Sequence, residues 1–249
     1  MDAVNVINYI VAAYFGIIIG NFATSFYFRI PRNISLFGLK HINSVPPQCS
    51  KCNHYLKLKE YLPIIGFISC KGRCNYCGNK IDICYLIIEI FSLLLSLICY
   101  YYFYFLDWYI IFLLFGIVSL IMSLSLYNNI NVSLKFIFFS IFLSIIYDTL
   151  LNLTIYDWVF KVAISSILYS LYINFSYKYN FKNLDLELIK IILVAFFWFD
   201  LLFIIPYTML LVASYFLYVN LKVMLVRHFY FASYVLIFLT ILINHLMRL

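Results

Sequence analysis

Cys49-Ser50-Lys51-Cys52 and Cys74-Asn75-Tyr76-Cys77 are two CxxC pairs with 21 residues between Cys52 and Cys74. Each tight turn points two thiolates at one place, and soft sulfur donors in this pattern suit Zn2+. Four thiolates leave no open coordination position, so zinc at Cys49, Cys52, Cys74 and Cys77 is expected to be structural and not catalytic. Gly72 and Gly78 border the second pair, where the backbone must turn. Tyr61-Leu62-Pro63-Ile64-Ile65, between the pairs, is expected to form a small apolar core under the ion. Cys70 and His54 lie close by, but four thiolates already suffice. Cys84 and Cys99 fall in or beside an apolar run and read as packing residues.

Outward from this segment the chain is apolar on both sides. Hydrophobic residues make up 66% of the sequence and charged residues 11%, too little polar surface to cover a water-soluble globule. Residues 3–28 carry no charge and are long enough to cross a bilayer. A cleaved signal peptide fits this stretch poorly, since no basic residue precedes it and no small-residue cleavage site follows. Between Arg29 and Asp82 stand nine basic residues against Glu60 and Asp82, so this segment holds the whole net charge of +7. Basic loops beside spans stay in the cytoplasm, which accounts for the charge without a nucleic acid. Reduced thiols on that side favour metal ligation over disulfides.

The expected architecture is an all-α polytopic membrane protein. Residues 1–28 form a first transmembrane helix, 29–82 a cytoplasmic four-cysteine loop, and 83–249 a bundle of about seven more helices. The eight spans are Ala3–Phe28, Ile83–Leu106, Trp108–Tyr127, Leu134–Leu151, Trp158–Ser176, Leu186–Ile205, Tyr207–Lys222 and Phe229–Met247. Alternation from a cytoplasmic first loop puts Lys178, Lys182, Lys222 and Arg227 in or beside cytoplasmic loops. The opposite loops, near Asp107, at 152–157 and at Pro206, carry acid and no basic residue. Gly16 and Gly20 are spaced for close helix packing in lipid. The isolated His41, His228 and His245 read as solvated or interfacial, and no Gly-x-Gly-x-x-Gly loop supports a Rossmann-type nucleotide site.

Gly20-Asn21-Phe22, Arg29-Ile30-Pro31, the CxxC pairs around Tyr61-Leu62-Pro63 and Lys71-Gly72-Arg73-Cys74, then Gly78, Ile81 and Tyr85-Leu86-Ile87-Ile88-Glu89 follow a familiar order. Over about residues 16–90 the chain resembles the amino-terminal half of bacterial prepilin peptidases, the type IV leader peptidases of the inner membrane. The resemblance implies an aspartic endopeptidase at the cytoplasmic face that removes a short basic leader from type IV prepilins or pseudopilins. It also implies, for many members, methylation of the new amino terminus with S-adenosylmethionine. The family chemistry uses two aspartates sharing a proton, one activating water and one protonating the leaving group. Partners implied are prepilins and the lipid bilayer; no nucleic acid is expected.

The chain departs from the family at the dyad. Asp185, which opens the sixth span, falls where the second aspartate belongs, but Lys182-Asn183-Leu184 replaces the glycines of Gly-x-Gly-Asp. The first aspartate should fall near Ser123-Leu124-Ser125-Leu126-Tyr127-Asn128, which contains no acid. Asp148 and Asp157 lie toward the opposite face in this topology. Two readings follow: a displaced carboxylate such as Glu187 or Glu89 completes the pair, or the peptidase reaction has been lost and the chain is a prepilin-binding scaffold. Without catalysis, Asp185 reads as an interfacial helix N-cap. Glu89, an acid in an apolar span, costs roughly 2.5–3.5 kcal/mol near a bilayer centre and is expected to face protein or a polar cavity.

Overall fold

Two of the long helices end at an asparagine in a left-handed turn, and two begin at a side-chain cap. In a computed structural model, residues 3–34, 46–151, 159, 161, 163, 166, 167, 170, 183–198 and 224–248 are described. They form α1 (Ala3–Arg29), α2 (Leu58–Tyr61), α3 (Ile65–Ser69), α4 (Ile83–Phe103), α5 (Asp107–Tyr127), α6 (Leu134–Leu150), α7 (Asn183–Trp198) and α8 (Met224–Arg248). No strand occurs among the described residues. The chain divides into two compact units, residues 1–117 and 118–249, with α5 contributing to both.

Asp82 starts α4 by accepting the Cys84 N–H at 2.9 Å, and Ser133 starts α6 by accepting the Lys135 N–H at 3.4 Å. After α1, Asn33 adopts φ 53°; the Ile34 N–H reaches the Arg29 carbonyl at 3.0 Å and the Asn33 N–H that of Ile30 at 3.2 Å. After α5, Asn129 does the same at φ 56°, with Ile130 N–H on the Ser125 carbonyl at 2.8 Å and Asn129 N–H on Leu126 at 3.1 Å. Both are Schellman turns, closing helices with asparagine in place of glycine. Arg32 adds a hydrogen bond to the Phe28 carbonyl at 2.8 Å.

Three of the described helices, Val4–Arg29, Ile83–Phe103 and Asp107–Tyr127, are long and apolar enough to cross a membrane. The second span therefore ends at Phe103 and not at Leu106, because Tyr104 turns to φ 54°. The sixth and eighth expected spans begin earlier than read, at Asn183 and Met224. Polar Asn183 and basic Arg227 hid those starts, although short polar runs are tolerated at helix ends. The expected spans at 158–176 and 207–222 lie largely or wholly outside the described residues, as do His41, Asp157 and Pro206.

In the first unit, α1 packs along α4 through small residues. A Cβ on Gly16 would lie 2.7 Å from Ser96 Cβ and 2.8 Å from the Ser92 carbonyl, and one on Gly20 would lie 3.2 Å from Glu89 Cα. Gly16-xxx-Gly20 thus meets Ser92-xxx-Ser96, as the spacing predicts. Ser96 Oγ crosses the contact to donate to the Ala12 carbonyl at 2.6 Å and pairs with the Tyr109 hydroxyl at 2.7 Å. Tyr9 packs edge-on against Tyr100 at 4.8 Å, and Phe103 stacks on Phe112 at 5.1 Å.

In the second unit, small residues of α6 again admit a neighbour. The Trp198 indole donates to the Ser140 carbonyl and hydroxyl at 3.2 and 3.1 Å, and Ser144 donates to the Phe197 carbonyl at 2.8 Å. Tyr147 pairs with His245 Nδ1 at 3.2 Å, so His245 is buried inside this unit and is not solvated. Its isolation suggested solvent; the packing partner on α6 is invisible in sequence.

Gly16→Val inserts two methyl groups and a Cβ against the α4 backbone. The thermal midpoint in detergent should fall, by the equivalent of about 1–3 kcal/mol for an overpacked contact. A thermal melt checks this; an unchanged midpoint means α1 and α4 do not pack through Gly16.

Candidate metal centre and carboxylate sites

The two CxxC pairs fold into matching knuckles, each built by its own backbone. Cys49 N–H donates to the His54 carbonyl at 2.9 Å, and Asn53 N–H to the Cys49 carbonyl at 3.0 Å. Cys74 N–H donates to the Asn79 carbonyl at 2.9 Å, and Gly78 N–H to the Cys74 carbonyl at 2.9 Å. Single antiparallel bridges, Gln48 to Tyr55 and Arg73 to Lys80, close each one. The residue after the second cysteine is left-handed in both, Asn53 at φ 57° and Gly78 at φ 69°. Glycine marks the second turn in the sequence; the equivalent Asn53 went unread, although asparagine is the usual substitute there.

All four sulfurs of Cys49, Cys52, Cys74 and Cys77 lie within 4.8 Å of one another. Cys49 Sγ is 3.9 Å from Cys77 Sγ and Cys52 Sγ is 4.0 Å from Cys74 Sγ, so each close pair joins one knuckle to the other. A tetrahedral ion with sulfur at about 2.3 Å needs edges of about 3.8 Å, which this arrangement fits. All seven cysteines are thiols, and these separations are far beyond a disulfide bond of about 2.05 Å. The Asn79 backbone N–H draws the Cys77 thiol down to about 7, toward the thiolate that binds metal. His54 stacks on Tyr76 with ring centroids 3.5 Å apart, an aromatic contact from one knuckle to the other. Cys70 stands outside the tetrad, buried, with its sulfur taking the Asn75 amide at 3.2 Å. Cys84 and Cys99 are buried packing residues, as expected.

The expected apolar core beneath the ion is absent. Tyr61 and Leu62 are more than a third exposed and Ile65 is 63% exposed. This stretch instead forms a corner whose Ile64 N–H donates to Glu89 Oε2 on α4 at 2.7 Å. Glu89 is buried and lines a cavity of about 310 Å³ enclosed by the end of α1, the cysteine loop and the start of α4. Asn21, Thr24, Phe28, Asp82 and Tyr85 also line it. Glu60 steadies the loop: its carboxylate accepts the Lys57 N–H at 2.8 Å and the Asn75 amide at 3.0 Å. These two donors, the backbone one first, hold it below the usual carboxylate range.

Asp185 lies in the third position of α7, inside the helix, so it does not act as the N-cap that its place at a span start suggested. Glu187, two residues on, is buried. Its Oε1 accepts the Val132 N–H at 3.2 Å and the Lys190 ammonium at 2.6 Å, while Oε2 is buried without a hydrogen bond. Lys190 also donates to the Val132 carbonyl at 2.7 Å. Asp148 is paired with Lys161 at 2.6 Å, and Lys161 further donates to the Phe197 carbonyl at 3.0 Å. Neither lysine was singled out in the sequence, although a basic residue inside an apolar run is itself the signal for a buried acidic partner.

These features define a helical protein with three helices able to cross a membrane and a four-thiol loop after the first of them. The bacterial peptidase A24 N-terminal domain matches residues 14–103. A prepilin leader peptidase/N-methyltransferase of Vibrio cholerae is 26% identical over 110 residues, covering 43% of this chain and 43% of that protein. One from Pseudomonas putida is 33% identical over 51 residues, 20% of this chain and 18% of that protein. One from Bacillus subtilis is 32% identical over 71 residues, 28% of this chain and 26% of that protein. The chain thus spans less than half the length of these curated relatives, and no solved structure matches. Through this amino-terminal region the chain is similar to prepilin leader peptidases and carries a match to the bacterial peptidase A24 N-terminal domain.

Metal analysis of the purified protein should give about one ion per chain, depleted in Cys74→Ser and unchanged in Cys70→Ser. Metal retained in Cys74→Ser would remove Cys74 from the ligand set. Gly78 has open space around a would-be Cβ, so only its φ is demanding. Gly78→Asn should retain metal as Asn53 does, while Gly78→Val should lose it. Because Glu60 has a lowered folded pKa, its contribution is complete above the unfolded value near 4.3. It fades as pH falls through the folded one. The gap in thermal midpoint between the parent and Glu60→Gln should therefore be widest at neutral pH and close in acid.

Proposed function

We propose that this chain is an inner-membrane protein that receives type IV prepilins or pseudopilins at the cytoplasmic face. In this reading Zn2+ joins the two knuckles as a structural ion, and the eight-span layout carries the loop on the cytoplasmic side. The supporting observation is the amino-terminal match, which covers the four-thiol loop, the cavity and Glu89 together. The polar residues Asn21, Thr24 and Glu89 sit beside Phe22 and Phe28 in one cavity, so it suits a segment that changes from polar to apolar. A precursor with a charged leader ahead of an apolar helix has that character.

On the chemistry, the arrangement favours binding without cleavage. Peptide hydrolysis by an aspartic dyad needs two carboxylates close enough to share a proton. The stretch 123–128 brings none, and Glu187, the buried acid that meets the following loop, is held by Lys190 as an ion pair. Its Oε1 is taken up by the Lys190 ammonium at 2.6 Å and by the Val132 N–H at 3.2 Å. The Glu187 bond to Val132 favours a second reading. It draws the start of α7, and with it Asp185, to the loop after α5, where an acid dyad would need it. In that version Asp185 is one catalytic carboxylate of a leader peptidase.

A synthetic prepilin added to the protein in nanodiscs separates the two. Binding with no cleavage product is expected, with crosslinking from a photoreactive residue at Phe22. Cleavage that disappears in Asp185→Asn would establish the peptidase instead, and added S-adenosylmethionine in the same assay reads methyl transfer. No association at all would overturn the substrate assignment.

A further inference from the structure

We infer that the corner of the cysteine loop from Leu62 to Ile68 is seated in the lipid interface beside α4, anchoring the metal loop to the bilayer that α4 crosses. The inference rests on α1 and α4 spanning that bilayer. The key observation is the depth at which the loop touches α4. At about 1.5 Å per residue, the 21 residues of α4 measure about 31 Å, close to the ~30 Å hydrocarbon thickness. That leaves almost no helix to spare, so Ile83 stands at the membrane edge. Glu89 is six residues further in, about 9 Å along the axis. Its side chain leans back toward the helix start, which brings the carboxylate to the level of the first turn. The Ile64 N–H is 2.7 Å from that carboxylate, so the loop reaches down to the same level.

What the corner exposes matches that level. Ile65 and Ile68 are 63% and 64% exposed, on one side of the short α3, with Tyr61 and Leu62 partly exposed beside them. Ile83 and Ile87 of α4 are exposed as well. Lys59 and Lys71 are exposed at either end of the corner, suited to anionic headgroups above an apolar contact. Backbone geometry fixes the pose: Ile64 adopts φ 61° and ψ −53°, a tight γ-turn that few β-branched residues enter. Lifting the corner away would remove the Ile64 N–H and leave Glu89 without its donor. Lipid, and not a second copy of the chain, is the occupant chosen, because the contact is set by depth on a spanning helix.

Single tryptophans introduced into the full chain in nanodiscs test this, read as quenching above the parent. Brominated lipid reports the acyl region and acrylamide reports water; metal content near the parent's confirms folding. Ile65→Trp and Ile68→Trp should be quenched by brominated lipid several-fold more than Tyr55→Trp on the first knuckle. Leu94→Trp, midway along α4, is the control for the span. Brominated-lipid quenching at Leu94→Trp with acrylamide quenching at both corner positions would overturn the anchor while leaving the span intact. Acrylamide quenching at all of them would overturn the spanning reading and the anchor with it. A corner tryptophan shielded from both quenchers in a dimeric particle would assign the surface to a second copy and also overturn it.

Discussion

A carboxylate in an apolar helix needs a donor, and here Glu89 finds one in the backbone of a different segment. The Ile64 N–H ties the cysteine loop to the second turn of α4, and the rest of the amino-terminal unit is arranged around that bond. For α1 to pass Glu89 at close range, Gly20 must lack a side chain. For Ile64 to aim its N–H at the carboxylate, the chain must take a left-handed turn between α2 and α3. The two knuckles flank that turn in the chain, so the four-thiol cluster is tied to the α1–α4 pair through it.

Two further acids in apolar helices follow the same rule by a different route. Glu187 and Asp148 are each matched to a lysine, at 2.6 Å in both cases, and each lysine reaches a backbone carbonyl as well. Such pairs are costly to break one partner at a time, because the survivor is left charged in a dry setting. They account for acids and bases that look misplaced in a membrane sequence. They also bear on chemistry: a carboxylate committed to a lysine stabilises a fold but is poorly placed to exchange protons with a second acid.

Much of this was legible before any coordinates. The CxxC pairs announced converging thiolates because ligand spacing is a local property. Gly16 and Gly20 announced a close helix contact, and Asp82 and Ser133 stand just where helices begin. Misreadings came from long-range partners. The Tyr61–Ile65 stretch looked like a core because its residues are apolar, yet it is largely surface. His245 looked solvated because it stands isolated in the sequence, yet Tyr147 buries it. Asp185, read as a cap in the absence of catalysis because it opens an apolar run, lies in a helix that already includes Asn183.

The amino-acid sequence by itself determined which segments are apolar enough to cross a membrane and which four sulfurs can share an ion. Those depend on composition and on contacts between near neighbours, which spacing encodes directly. The tertiary structure alone decided which donor satisfies Glu89, that Lys190 and Lys161 neutralise Glu187 and Asp148, and that Asn53 repeats the role of Gly78. Such matches join groups 25 residues apart for Glu89 and Ile64, and 13 for Lys161 and Asp148. A buried charge dictates that some partner exists; only the folded path of the chain selects which one.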